Sequence, residues 1–410
     1  MHFLNNNSVS GCSGTSNTPE QQKIHPQTEA GIMDAEPCWK CLDWKKELAN
    51  NVVTIDQLKQ YATFSPQEEA TLREVAKVHP VNIPRYYLSL IDKNDPNDPI
   101  RRMCFPDAEE LVVAGSMGAT TADPYGDDKH DKGNGVLHKY DCTALLITTE
   151  CCAMHCRHCF RRRIVGHSSQ QTLRNFAGAL QYIADNPKIN NVILSGGDPL
   201  TLATPVLQKM LEGLAEIDHV DFVRIGTRIP VTYPLRIFED ALMDALRAFA
   251  ERKALYIATH YNHAREITLT STEAIKRLRL CGATINNQAV LLRGVNDSVE
   301  DIVELMNRLL SIGVNPYYLY QCMPVSRVRH HFQLPLKQGI AIVDKAKAQL
   351  SGYGKRFKYI IGHDIGKLEI CGISEGNIVL KQMHARIGHE EQASRIIIQK
   401  LADDAGWVEL

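Results

Sequence analysis

Two things are missing from this chain, and each absence excludes a class of function. There is no excess of charge: 46 basic residues meet 47 acidic ones, the net charge is −1, and no basic run stands out. A protein that binds nucleic acid through its electrostatics needs such an excess, so no nucleic-acid partner is expected. Long apolar runs are also missing. No stretch approaches the roughly 20 residues of a membrane span, and the amino terminus has no charged-then-apolar signal pattern. A cytoplasmic protein with no membrane partner is expected. What the chain does have is a 44% apolar content, enough for a sizeable core. Its 410 residues suit one large domain or two or three smaller ones. Its 12 cysteines, in a large unsecreted chain, read as ligands plus buried thiols rather than a disulfide framework.

Three of those cysteines stand together in Cys152-Ala-Met-His-Cys156-Arg-His-Cys159. Three closely spaced thiolates can hold three irons of a cubane cluster and leave the fourth without a protein ligand. Such an iron is open to chelation by a small molecule, whereas full Cys₄ ligation makes an electron carrier. Zinc is the competitor, but structural zinc takes four ligands, usually as two close pairs. Ordinary buried cysteines are the third reading. Cys151 is assigned to packing. Cys38 and Cys41, in Cys38-Trp-Lys-Cys41, are read as packing beside tryptophan, with half a metal site or a redox pair as the alternative.

The chain divides by composition into four parts. Residues 1–36 are rich in Asn, Ser, Thr and Gln and read as a disordered tail. Residues 37–138 read as a helical amino-terminal region, with Thr54 and Ser65 as helix caps and Glu68 completing a capping box. From 139 to 330, apolar runs at 143–148, 191–195, 221–226, 254–259, 284–292 and 315–320 alternate with stretches of helical periodicity. Strands alternating with helices imply parallel βα units, and six of them fit an α/β fold built as a partial (β/α)6 barrel. Chemistry in barrels sits at the carboxyl ends of strands, and the triplet follows the first one. Residues 331–410 read as a small α+β lid, with a helix at 337–350 and strands at 356–361, 368–372 and 377–381.

After the second apolar run comes Ser195-Gly196-Gly197-Asp198. Two glycines let a backbone edge approach a ligand or another loop closely. By itself this is equally a tight βα turn. With the triplet one strand earlier, the pattern resembles the radical S-adenosylmethionine (SAM) enzymes. The resemblance narrows to the lysine 2,3-aminomutase family through Asn94-Asp-Pro-Asn-Asp-Pro-Ile-Arg101, Cys156-Arg-His-Cys-Phe-Arg-Arg-Arg163, Asn287-Gln-Ala-Val-Leu-Leu-Arg-Gly-Val-Asn-Asp297 and Pro316-Tyr-Tyr-Leu-Tyr-Gln-Cys322. It runs from about 42 to 380.

The resemblance implies an isomerase with three cofactors: a [4Fe-4S] cluster on Cys152, Cys156 and Cys159, SAM, and pyridoxal 5′-phosphate (PLP). A 5′-deoxyadenosyl radical takes hydrogen from the substrate β-carbon, and the amino group moves from C2 to C3 while PLP holds it. By the same resemblance, Lys367 carries PLP and Arg161 pairs with the substrate carboxylate, for which a planar guanidinium is suited. Ser195, Gly196, Gly197 and Asp198 meet the SAM amino group. His260 and Gln288 line the SAM pocket, and Tyr320 and Gln321 face the same mouth. Lys139 and Tyr140 stand near the PLP phosphate, where a second family arginine falls on Thr143. Arg162 and Arg163 meet phosphate or solvent. The partners implied are a free amino acid, an electron donor such as flavodoxin or ferredoxin, and further copies of the chain in a homo-oligomer.

The match breaks at the substrate side chain. The lysine enzymes hold the distal ammonium with two aspartates, whose positions here are Met323 and Ile360. An amino acid other than lysine is therefore expected. Arg327, Arg329 or Lys355 are candidates to meet an acidic side chain, and Asp364 or Glu369 a guanidinium. The family's structural zinc is not expected, because its first cysteine falls on Ser298 and residues 384–410 have none. The alternatives are a family member with another reaction, without PLP, a true lysine enzyme with altered recognition, and a non-catalytic cluster protein.

Overall fold

The structure is a computed structural model that describes residues 38–112, 121–167 and 172–410; the expected tail lies outside them. Eleven strands form one sheet in sequence order: β1 (Val136–Tyr140), β2 (Thr143–Thr149), β3 (Asn191–Gly196), β4 (Phe222–Gly226), β5 (Ala254–Thr259), β6 (Thr284–Leu291), β7 (Asn315–Gln321), β8 (Lys358–His363), β9 (Gly366–Ser374), β10 (Asn377–Ala385) and β11 (Ile396–Lys400). Pairing from β2 through β8 is parallel. At the ends, β1 runs antiparallel to β2, and β8 to β11 form an antiparallel meander.

This is an α/β partial barrel whose parallel run has seven strands. The seventh, β8, was read from sequence as the first strand of a separate lid. It pairs with β7 through Tyr318↔Lys358 and Tyr320↔Ile360, so lid and barrel share one sheet. Two strands went unread, β1 and β11. The first is short and follows a glycine turn, and the second shows no buried face, alternating between exposed and part-exposed residues. The ladder does not close β1 onto β11. The meander does reach back: the Ile387 amide donates to the Lys139 carbonyl at 2.9 Å, and the Tyr140 ring lies 5.5 Å from that of His384.

Each of the first six parallel strands is followed by a helix, and the fit is amphipathic. In Val299–Ser311, Ile302, Leu305, Met306 and Leu309 are buried at the three-four spacing of one helix face, worth about 1.5–3 kcal/mol per side chain. Ser298 caps this helix, its Oγ accepting from the Asp301 amide at 3.0 Å. Ser65 and Glu68 form a capping box on Pro66–Val78, and Thr54 caps Ile55–Leu58.

Burial alternates along β4, β5 and β6: outward residues lie under helices, and inward ones stay part-exposed. A closed eight-stranded barrel fills its interior with side chains. Here the interior is left accessible, and its face carries Ser195, Arg224, Gln288, Tyr320, Ile360 and Lys367 by strand alternation and register.

Candidate active site

The cysteine loop leaves the end of β2 and is held by the amino-terminal region. Asn82 donates to the Cys152 carbonyl at 3.0 Å, Asn51 to the Ala153 carbonyl at 2.8 Å, and the His155 and Arg157 amides donate to the Asn82 and Met103 carbonyls at 2.9 Å each. Below the loop, Glu110 accepts both arms of Arg157, at 2.8 and 2.6 Å, and Arg162 at 2.8 Å. Arg157 and Glu110 are 0% and 1% exposed, so this is a buried charge cluster rather than a surface pair. Arg162, expected at phosphate or solvent, is held in this cluster by Glu110 and the Arg327 carbonyl, and Arg163 pairs with Asp128 at 3.1 Å. Cys151, assigned to packing, is exposed, and its carbonyl accepts from the Asp198 amide at 2.8 Å. Cys38 and Cys41 are exposed while Trp39 between them is buried on Tyr86.

Two of the three thiols are raised. Burial first, then Asp198 and the neighbouring sulfurs, pushes Cys152 well above an ordinary thiol; burial and Cys156 push Cys159 to about 11. Thiols so placed ionise when a metal supplies positive charge. Arg228, which sequence reading missed, donates from Nη1 to the Cys156 sulfur at 2.8 Å. Its Nη2 donates to Glu266 at 2.6 Å and its Nε to the His260 carbonyl at 3.1 Å. Its only sequence signal is a charged residue just past the end of β4.

The glycine turn has a packing reason. A Cβ on Gly197 would stand 2.2 Å from the Cys151 carbonyl oxygen, and one on Gly196, at φ +117°, 2.5 Å from that of Thr149. The glycines thus let the β3 turn lie against the cysteine loop. Asp198 is buried and accepts from Thr227 Oγ1 at 2.7 Å and the Arg228 amide at 2.7 Å, which ties this turn to the one after β4. Burial lifts its carboxyl to about 6.

Arg161 donates from Nη1 to Ser195 Oγ at 3.0 Å and from Nε to Asp127 at 3.2 Å. His260 follows β5, and its Nδ1 bonds the Gln288 carbonyl on β6 at 2.9 Å. Tyr320 faces the interior, but Gln321 does not: it donates to the Leu334 and Gly406 carbonyls and accepts from Tyr359. Neighbours on a strand point to opposite faces, so the two could not share one mouth.

Lys367 is the second residue of β9. Gly366 before it has φ +139°, and a Cβ there would stand 1.8 Å from the His384 carbonyl oxygen, so the turn accepts no other residue without moving β10. The Lys367 ammonium lies 5.1 Å from the Tyr318 ring centroid. No carboxylate pairs with it among the described residues. Burial, then Arg224 and Lys139, lowers it to about 7. An amine at that value is substantially neutral and nucleophilic near pH 7, as a carbonyl-capturing lysine must be. Lys139 donates to the Tyr125 and His363 carbonyls at 2.7 and 3.0 Å, and the buried Tyr140 hydroxyl neighbours that of Tyr125.

Residues 146–309 match the radical SAM superfamily. The L-lysine 2,3-aminomutase of Clostridium subterminale is 40% identical over 312 residues, covering 76% of this chain and 73% of its own. That of Acetoanaerobium sticklandii is 38% identical with the same coverage. The glutamate 2,3-aminomutase of Clostridioides difficile is 35% identical over 321 residues, 77% of this chain and 73% of its own. The chain belongs to the lysine 2,3-aminomutase family of radical SAM enzymes.

As a family member it is an isomerase that uses a [4Fe-4S] cluster and SAM, and the lysine 2,3-aminomutases are PLP enzymes. The residues present fit these groups: three neighbouring sulfurs on one loop, with Cys156 and Cys159 felt by Cys152, and a buried amine with no acid partner among the described residues, over the Tyr318 ring. Ile360 faces inward, and a Cβ on Gly362 would meet Met323 Cε at 2.6 Å, the Tyr125 ring at 2.7 Å and the Tyr125 hydroxyl at 2.9 Å, none of them an acid. The candidate carboxylates are engaged: Asp364 with Lys129 at 2.7 Å and Glu369 with Lys358 at 2.7 Å. Arg327 donates to the Glu110 carbonyl at 3.2 Å. No helix among the described residues is long and apolar enough to cross a membrane.

Proposed function

We propose that this family member is a PLP-dependent amino-acid 2,3-aminomutase whose substrate is not lysine but an amino acid with an uncharged side chain. The observation that carries this reading is the corner formed by Met323, Ile360, Gly362 and Tyr125. None of the four is an acid; Asp127, whose charge Tyr125 feels, pairs with Arg161, and Asp364 and Glu369 hold Lys129 and Lys358. Burying an ammonium without a partner costs several kcal/mol, on the order of 3–5.

In this reading Cys152, Cys156 and Cys159 would hold the cluster, which would supply the electron that splits SAM. Bound PLP supplies delocalisation for the migrating amino group. Lys367 binds it in the neutral amine form, Arg161 holds the substrate carboxylate with Ser195 and Asp127 fixing its fork, and the Tyr318 and Tyr320 rings wall the radical from water. Ser195, Gly196, Gly197, Asp198, His260 and Gln288 border the SAM site, and Lys139 and Tyr140 the PLP site. The electron comes from a donor such as flavodoxin or ferredoxin, and the working form is a homo-oligomer.

The test is an anaerobic screen of the free amino acids on reconstituted, reduced protein, with mass analysis for the β-isomer. The expected result is turnover of an uncharged amino acid at least about tenfold above lysine, the ratio of a 1.4 kcal/mol preference. Lysine turnover at a comparable rate overturns the reading.

A further inference from the structure

Arg224 stands on the inner face of β4 with no acidic partner among the described residues. Its Nη2 donates to Thr143 Oγ1 at 3.4 Å and to the Asn191 side-chain oxygen, both neutral groups. Its Nε is closed to solvent and has no hydrogen-bond partner. A guanidinium taken out of water needs either a carboxylate or an anionic ligand to offset its desolvation. No carboxylate among the described residues meets it, which leaves Nε free for an anion entering the barrel.

The surroundings narrow that anion. Thr143 lies opposite Tyr140 in the β1–β2 register, and Tyr140 contacts His384, which is the register partner of Lys367. Arg224 and Lys367 thus approach the same part of the interior: Lys367 feels the Arg224 charge, and His384 feels both. The remaining cation there, Lys139, already gives two of its three donors to backbone carbonyls. Arg161, with its own partners Ser195 and Asp127, belongs to the carboxylate end of the site.

We infer that Arg224 receives the phosphate of the pyridoxal cofactor whose aldehyde Lys367 captures. On that cofactor the phosphate arm and the aldehyde leave adjacent ring carbons, which matches a guanidinium and an amine that neighbour one another. A guanidinium suits a phosphate because its planar fork makes two parallel charge-assisted hydrogen bonds. The inference rests on the proposal that Lys367 carries PLP.

The experiment titrates full-length protein with PLP and, separately, with pyridoxal, which has the aldehyde but no phosphate. Spectral titration gives the affinities, and borohydride trapping with peptide mass analysis gives the attachment site. The proteins are wild type, Arg224→Met and Arg224→Lys. For Arg224→Met, PLP affinity is expected to fall about ten- to a hundredfold, from the loss of charge-assisted hydrogen bonds. Pyridoxal affinity should fall by much less than PLP affinity, since removing Arg224 only lets Lys367 become more basic, and Arg224→Lys should recover part of the loss. An equal fall for both aldehydes in both variants, or no fall for either, overturns the role of Arg224 while leaving Lys367 in place. Trapping of neither aldehyde on Lys367 in the wild type overturns this inference together with the reading it rests on.

Discussion

Arg228 Nη1 lies 2.8 Å from Cys156 Sγ, and the same guanidinium is anchored on Glu266 at 2.6 Å. One cation thus links the cysteine loop to the turns after β4 and β5. A positive charge on a ligating sulfur favours the more negative, reduced state of a cluster, because hydrogen bonds and charge around the sulfurs tune its potential.

Arg228→Met is expected to lower the cluster's reduction potential and slow SAM cleavage. It also leaves the buried Glu266 without its cation, held only by the Tyr87 hydroxyl and the Asn262 and His263 amides, which costs up to about 3–5 kcal/mol. The double variant Arg228→Met/Glu266→Gln should recover stability in denaturant titrations while the potential stays low. Recovery of both would mean that Arg228 acts through the fold alone.

Gly197→Ala places a methyl group 2.2 Å from the Cys151 carbonyl oxygen. Backbone on both sides leaves no flexible group to yield, so a loss of about 1–3 kcal/mol is expected. The displaced loop should also bind less iron. Urea unfolding and iron content per chain check the two effects, and a variant as stable and iron-rich as wild type would contradict the packing role.

Lys367 sits at about 7 against its ordinary 10.5, held down by burial and then by Arg224 and Lys139. Between those two values the unfolded chain binds a proton that the folded chain does not, so stability rises with pH from about 7 to 10.5; below 7 the full penalty remains. Lys367→Met should remove this rise from a series of denaturant titrations, and be more stable than wild type below pH 7. Capture of PLP in the wild type should fall as the pH drops below about 7, where the amine becomes protonated.

Met323→Asp with Ile360→Asp places acids at the two positions that border the corner at Gly362. The pair is expected to raise lysine turnover relative to the native substrate by at least about tenfold, the equivalent of 1.4 kcal/mol. Each aspartate alone should destabilise the protein, since Ile360 is fully buried and Met323 nearly so. Competition assays with both amino acids provide the check.

Several features were legible from local spacing. The cysteine triplet, the glycine turn and the alternation of strands with helices each lie within a few residues of chain. Strand limits such as Thr143–Thr149 and Ala254–Thr259 fall within a residue of the apolar runs. The error at Gln321 was also avoidable in sequence, because period-two alternation already separates it from Tyr320. Other features had no local signal. Glu110 under Arg157 and Arg162, Asn82 on the Cys152 carbonyl, and Arg228 on Cys156 are contacts across 47 to 72 residues of chain. In sequence these are ordinary polar residues in loops and turns.

The sequence by itself determined how the radical is made and which elements carry it, because ligand spacing and hydrophobic period are properties of contiguous chain. Only the tertiary structure decided which cations lack partners and which face each strand turns inward. Those depend on how distant strands align in register: Lys367 gains its low basicity, and Arg224 its unpaired Nε, from groups on other strands. An unpaired charge is defined by its neighbours, and in this protein those neighbours come together only when the sheet forms.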